Sequence, residues 1–160
     1  MKEVINTSPL IFLAKLGKLD FLEHIDVLIP TVVCDEIEAG RILGKEDFAL
    51  LEKWLSHKRK NVMNTPLLSQ LHGVLGKGEA AVISLALKQN VETVIIDEKK
   101  ARAYARLYGL KPKGTLSILI RAIEQKRVSK TEGRRLVLEL VTLGYRIKED
   151  LLSEILKALG

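Results

Sequence analysis

The sequence contains little that would cross-link the chain or hold it in a membrane. Its 160 residues include one cysteine, Cys34, so no internal disulfide can form. No apolar run approaches the roughly 20 residues that cross a bilayer. Met1-Lys2-Glu3 leads directly into a predicted strand and not into a signal peptide. These absences predict a soluble, cytoplasmic protein with no membrane partner and one compact core.

Zinc and nucleotide motifs are also missing. The three histidines, His24, His57 and His72, are scattered along the chain without the spacing of metal ligands. Neither a P-loop nor a GxGxxG motif occurs, which argues against nucleotide hydrolysis and dinucleotide binding. Any metal site in this chain is therefore expected to use oxygen ligands.

The charge of the chain is basic. The 26 Lys and Arg residues outnumber the 20 Asp and Glu residues, which gives a formal net charge of +6 and a pI near 9.4. This balance favours a polyanionic partner such as nucleic acid. The abundance of Lys, Glu and Leu with few aromatics is also typical of thermophilic proteins, where ion-pair networks are common. Both interpretations remain open at this point.

Short apolar strands alternate with helices along the chain. Residues 4–5, 27–29 and 94–96 are apolar and largely β-branched, and a last short strand is predicted after Gly109. This alternation predicts a parallel sheet whose strands are joined by helical crossovers. Further helices are predicted towards the C-terminus, where Ser129 and Glu132 form a capping box.

Four polar residues lie near the ends of these elements. Asn6 and Asp97 each follow an apolar strand, Glu36 lies little more than one turn into the helix after the second strand, and Glu79 opens the helix before the third. Ligands of parallel sheets collect at the carboxyl ends of the strands, so we expect the four residues to converge there. The alternative is that Glu79 and Asp97 only cap their helices.

Carboxylates held together repel one another unless a cation lies between them. Oxygen ligands without nearby His or Cys indicate Mg²⁺ or Mn²⁺. Lys99, Arg102 and Arg106 share a stripe of the helix after Asp97, although such a stripe is also typical of a solvated face. A metal site beside basic residues is what phosphodiester cleavage needs, because metals activate water while Lys and Arg bind the backbone.

Four segments carry a family resemblance: NTSPLIFLAKLGKLDFL, IPTVVCDEIEAG, GKGEAAVISLAL and VIIDEKKARAYARLYGLKPKGTLSILIRA. In this order they resemble the prokaryotic PIN-like branch of the PIN-domain nuclease superfamily, over about residues 3–125. The resemblance implies an α/β fold of three layers, α/β/α, with a central, mainly parallel sheet. Residues 1–126 would be the PIN-like domain, and residues 127–160 a C-terminal helical extension packed on it.

The resemblance also implies an activity and its partners. Members of the superfamily act as Mg²⁺- or Mn²⁺-dependent ribonucleases, as in the VapC-like toxins of toxin–antitoxin pairs. RNA, a small antitoxin protein and a second copy of the chain are therefore the expected partners. The chain is expected to cleave phosphodiester bonds in RNA.

The family's site residues carry over position by position. Glu36, Glu79 and Asp97 match the acidic positions that bind the metal and carry catalysis, and Asn6 matches a fourth metal position that is aspartate in active PIN nucleases. Asparagine offers a carbonyl oxygen but removes one negative charge, which weakens metal binding and argues against a second metal. Gly114-Thr115 stands at the last acidic position. The predicted substrate-binding residues are Ser8, Lys99, Arg102, Lys113 and Thr115.

Two functions follow from this pattern. One is a metal-dependent endoribonuclease, weakened by Asn6. The other is a PIN-fold module whose site has decayed and which binds RNA or a protein partner. A phosphoacceptor receiver domain is disfavoured, because Asn6-Thr7 supplies no acidic pair at the end of the first strand.

Overall fold

A parallel sheet organises the protein. The structure is a computed structural model and describes residues 1–40, 45–60 and 65–160. The strands of this part of the chain are β1 (Lys2–Ile5), β2 (Asp26–Pro30), β3 (Arg59–Lys60), β4 (Thr93–Ile95) and β5 (Lys111–Lys113). They form one five-stranded sheet in the order β3-β2-β1-β4-β5, and each neighbouring pair is parallel. β1 is therefore central, and Asn6 follows it at the carboxyl edge.

Helices connect the strands. Those in the described ranges are α1 (Thr7–Lys15), α2 (Thr31–Gly40), α3 (Lys45–Lys58), α4 (Pro66–His72), α5 (Lys77–Lys88), α6 (Lys99–Leu107), α7 (Thr115–Glu124), α8 (Lys130–Thr142) and α9 (Glu149–Leu159). A short 3₁₀ helix covers Leu19–Leu22. The predicted three-layer α/β/α fold with a parallel sheet is confirmed.

The central strands are apolar and the edge strands are polar. Val4, Val27 and Val94 are fully buried, as expected where helices cover both faces of a parallel sheet. β5 contains Pro112, which has no N–H to donate and is tolerated because the strand lies at an edge. β3 lies at the other edge and was not predicted, because its two basic residues carry no apolar pattern.

Helix α5 brings its first turn to the carboxyl edge of the sheet. It contacts β1, β2 and β4, and Gly78 and residues 80–86 are buried. Small side chains such as Ala80 and Ala81 let the helix approach the strands closely. The approach places Gly78 beside the side chain of Asn6.

The chain divides into two compact units, Met1–Thr115 and Leu116–Gly160. The first contains the sheet and helices α1–α6. The division falls at the first turn of α7, whereas the sequence places a domain boundary after residue 126. That boundary, with an extension over residues 127–160, stays a prediction.

The second unit is helical. The side chain of Ser129 accepts a hydrogen bond from the Glu132 N–H at 3.1 Å. This is one of the two hydrogen bonds of the predicted capping box at the start of α8. Gly133 lets α8 approach Ile123 of α7, and Arg134 Nη1 donates to the Leu156 carbonyl at 3.0 Å. In the described parts of both units, no helix is long and apolar enough to cross a membrane.

Candidate metal centre at the carboxyl edge of the sheet

Asn6 presents an unpaired oxygen at the end of the central strand. Its backbone N–H donates to Ile95 O at 3.0 Å, which extends the pairing of β1 with β4 by one residue. Asn6 is the N-cap of α1, a position where its side chain would ordinarily accept a hydrogen bond from the helix, but no such bond is present. Oδ1 is buried and has no hydrogen-bond partner among the described residues. Buried polar atoms are rarely left unpaired, so this oxygen points to a missing partner.

The carboxylate of Glu36 lies against the same space. Gly78 lies beside both groups and has no side chain. A Cβ at this position would stand 2.7 Å from Glu36 Oε2 and 2.8 Å from Asn6 Oδ1. Thr7 Oγ1 donates a hydrogen bond of 2.6 Å to Glu36 Oε2 and fixes its orientation. An amide oxygen and a carboxylate thus converge beside a residue that has no side chain.

Asp97 is held by Thr115. The Thr115 N–H donates to Asp97 Oδ1 at 2.8 Å, and Thr115 Oγ1 donates to Oδ2 at 2.7 Å. These two hydrogen bonds fix the orientation of the Asp97 carboxylate. The N-cap of α6 is Glu98, whose side chain accepts from the Ala101 N–H at 2.8 Å. The alternative that Asp97 caps α6 is therefore wrong.

Glu79 faces the start of its own helix. Its Oε2 lies 2.5 Å from the point where a Cβ on Gly76 would stand. Gly76 is the N-cap of α5, and the helix dipole favours a carboxylate there. The capping interpretation therefore accounts for this orientation, and a metal-binding role of Glu79 stays a prediction.

The predicted substrate-binding residues lie on four elements, α1, α6, β5 and α7. Lys99 and Arg102 belong to α6, which begins two residues after Asp97. Lys113 ends β5, and its carbonyl accepts a hydrogen bond of 2.8 Å from the Ile96 N–H. Thr115 is fully buried and contacts Asp97. Ser8 lies in the first turn of α1, where its half-buried side chain follows Thr7.

Two residues with structural roles in the site were missed by the sequence analysis. Thr7 holds Glu36, and the only indication of this role in the sequence is a hydroxyl side chain directly after Asn6. Gly78 leaves the space for Asn6 and Glu36, and its signal was a second glycine in GKGE, inside a helix that would not otherwise need one.

The donor set fits a hard cation. Within residues 1–40, 45–60 and 65–160, no three His, Cys, Asp or Glu side chains lie close enough together to hold a metal ion. The arrangement at Gly78 consists instead of one carboxylate and one amide oxygen, and both are ligand types that Mg²⁺ and Mn²⁺ accept. The unpaired Oδ1 of Asn6 is the acceptor that a cation would satisfy.

A family model described as a PIN domain matches residues 2–160. The chain belongs to the PIN-domain family. This confirms the resemblance and, with it, a nuclease-like fold. PIN domains are in general dependent on divalent metal ions. No curated protein and no solved structure matches the chain.

In this PIN domain, Gly78→Ala is expected to weaken Mn²⁺ binding about tenfold, at the lower end of what disturbed metal ligands cost. The new Cβ would press on the oxygens of Asn6 and Glu36. Helix α5 itself should not suffer, because alanine favours helix over glycine. Titration calorimetry measures the affinity, and thermal unfolding checks the fold.

Gly73→Ala is the control for Gly78→Ala. Gly73 is exposed after α4, and a Cβ there would meet only the Gln70 carbonyl, at 3.3 Å. We expect native Mn²⁺ affinity in this variant. Native affinity in Gly78→Ala as well would mean that the cation does not bind beside Gly78.

Proposed function

We propose that this PIN domain is a ribonuclease that uses Mg²⁺ or Mn²⁺ to cleave phosphodiester bonds in RNA. The observation that carries the proposal is the buried, unpaired Oδ1 of Asn6 beside the Glu36 carboxylate. An acceptor buried without a donor is costly, and a cation removes that cost. RNA is supported as the substrate by membership of the family.

Asn6 and Glu36, which meet beside Gly78, are the proposed ligands that the geometry supports, and Asp97 and Glu79 are added to them from the positions that match the family's metal site. A bound Mg²⁺ or Mn²⁺ would supply an activated water and neutralise charge on the departing oxygen. Thr7 orients Glu36 and Thr115 orients Asp97, so the two carboxylates are held by the chain itself.

The proposed substrate contacts come from basic and hydroxyl side chains. Lys99, Arg102 and Lys113 would bind the RNA backbone electrostatically. Ser8 would orient Asn6 or the attacking water. Thr115 would act on the substrate through Asp97, because its own side chain is buried.

The test is metal removal. Native protein is incubated with a single-stranded RNA in Mg²⁺, in Mn²⁺ or in EDTA, and Mn²⁺ binding is measured by calorimetry without RNA. We expect a measurable Mn²⁺ site, cleavage in either metal, loss of cleavage in EDTA, and its return with excess Mn²⁺. Cleavage by the purified chain that survives EDTA would contradict a metal-dependent reaction. Absence of Mn²⁺ binding would overturn the proposal.

A decayed, binding-only PIN domain is the competing proposal. It is favoured by the neutral Asn6, where active relatives carry aspartate, and by the absence of three clustered His, Cys, Asp or Glu side chains in the described residues. It predicts RNA binding that persists in EDTA, no cleavage, and no effect of Asp97→Asn.

We extend the proposal to protein partners, namely a small antitoxin and a second copy of the chain, as for a VapC-like toxin. Helix α9 supports this, because none of its side chains is fully buried and Leu151 is 45% exposed. An apolar surface of this kind is what a protein partner would cover. Light scattering on the purified chain measures self-association.

A further inference from the structure

Helix α6 carries a concentration of unpaired positive charge. Lys99, Lys100, Arg102 and Arg106 lie on this nine-residue helix, which contains no acidic residue. None of the four side chains forms a hydrogen bond or ion pair with another described residue. By contrast, Lys111 pairs with Glu92 at 3.0 Å, and Arg135 pairs with two acids of its own helix.

This charge arrangement does not help the fold. Lys99 and Lys100 occupy the first turn of α6, where the helix dipole disfavours cations. Arg102 and Arg106 are one turn apart, a spacing at which like charges destabilise a helix. Local rules broken without a compensating contact favour a functional requirement, and a concentration of cations on one helix attracts a polyanion.

The exposed face of α6 has two flanks of different chemistry. Lys99, Arg102 and Arg106 recur at three and four residues and form the basic flank. Tyr104 and Tyr108 are one turn apart on the other side, and Tyr108 is 39% exposed; we call them the aromatic flank. Three exposed residues, Ala103, Leu107 and Lys100, lie between the flanks. A single nucleic-acid strand has phosphates on one side and exposed base faces on the other, and this arrangement matches the two flanks.

We propose that the exposed face of α6 binds a single-stranded segment of RNA, with its phosphates on the basic flank and bases stacked on the aromatic flank. The helix begins two residues after Asp97, so the segment lies next to the candidate metal centre. A duplex would hide the base faces that the tyrosines need. This inference deepens the proposed function and rests on it for the identity of the nucleic acid as RNA.

The test measures binding in EDTA, where cleavage cannot interfere. The probe is a fluorescein-labelled, unstructured RNA of 12 nucleotides, alone or annealed to its complement, and the readout is fluorescence anisotropy at several salt concentrations. The basic variant combines Lys99→Gln, Arg102→Gln and Arg106→Gln. The aromatic variant combines Tyr104→Leu and Tyr108→Leu. Arg135→Gln is the control, because Arg135 is a cation that is already paired.

The basic variant should bind single strands at least tenfold more weakly, and its salt slope should fall by about 2, since each phosphate contact contributes about 0.7. The aromatic variant should lose about 5- to 30-fold for single strands, as expected for lost stacking, and nothing for the duplex. Arg135→Gln should bind like the native protein. Thermal unfolding should show no loss of stability in the basic variant, because only unpaired like charges are removed.

Two results would overturn the inference: native binding and salt slope in the basic variant, or equal affinity for single strand and duplex with no effect of the aromatic variant. Failure of the proposed function looks different. Single-strand binding through α6 without any cleavage in Mn²⁺ would overturn the ribonuclease and leave the α6 site standing. Cleavage in Mn²⁺ with unchanged binding in both variants would support the ribonuclease and overturn the α6 site.

Discussion

Asp97→Asn is expected to abolish detectable Mn²⁺ binding and to reduce RNA cleavage by roughly 100-fold or more, because a unit charge lost beside a divalent ion at a partly buried site is worth several kcal/mol. Asn6 carries no charge at this site. Glu36 and Asp97 are the two carboxylates that the chain holds in place there with hydroxyl donors. The substitution removes one of these two charges.

The variant should still fold. An asparagine at position 97 keeps one acceptor oxygen for the Thr115 N–H, and the Thr115 hydroxyl can rotate to accept a hydrogen bond from the amide nitrogen. The melting temperature measured without metal should therefore stay near that of the native protein. A collapse of the fold would indicate that Asp97 serves the structure and not the metal.

Asp26→Asn provides the matched control. Asp26 is exposed at the first residue of β2, at the opposite edge of the sheet from Asn6. The same charge is removed there, so a general electrostatic effect on metal or RNA binding would appear in both variants. We expect Mn²⁺ affinity and cleavage in Asp26→Asn to match the native protein. Equal losses in the two variants would contradict a metal site at Asp97.

The central part of the fold follows from the sequence pattern. β1, β2 and β4 have apolar residues that only a sheet covered on both faces can bury, and Pro112 restricts the last strand to an edge. β3 could not be predicted, since two polar residues carry no periodicity and their pairing depends on where α3 ends. The hydrophobic pattern thus predicts the buried strands and does not reveal a two-residue strand at the edge of the sheet.

The candidate site was only partly predictable. The rule that parallel strands end at one edge correctly brings Asn6 towards the helix that Glu79 opens. The hydrogen bonds of Thr7 to Glu36 and of Thr115 to Asp97 join residues 29 and 18 positions apart, so they depend on how elements pack and on side-chain rotamers. Capping of α6 by Glu98 instead of Asp97 is decided by a shift of one residue, which sequence spacing does not resolve.

Asn6→Asp is expected to strengthen Mn²⁺ binding by roughly 30- to 100-fold, because it adds a unit charge beside Glu36 at a site with little solvent. Asn6 is only 5% exposed, so water screens the new charge weakly. Calorimetry with Mn²⁺ measures the gain, and the rate of RNA cleavage should rise with it at low metal concentrations.

The same substitution should destabilise the protein when no metal is present. Burial and the nearby Glu36 carboxylate would raise the pKa of the new carboxyl in the folded state above its ordinary value of about 3.9. A carboxyl whose pKa is raised in the folded state binds more protons in the folded protein than in the unfolded chain. Its contribution to the stability of the folded protein is therefore fully present below about pH 4 and is lost as the pH rises through the raised pKa. Thermal unfolding between pH 4 and 8, with and without Mn²⁺, should show this loss and its reversal by the metal.

Asn90→Asp separates this effect from a simple change of net charge. Asn90 is exposed after α5, so the same substitution there should alter neither Mn²⁺ affinity nor the pH dependence of stability. Unchanged Mn²⁺ affinity in Asn6→Asp would mean that the unpaired Oδ1 does not face a cation. Cleavage that appears in Asn6→Asp and is absent from the native protein would show that one missing charge disables the native site, and would favour the binding-only PIN domain as the native function.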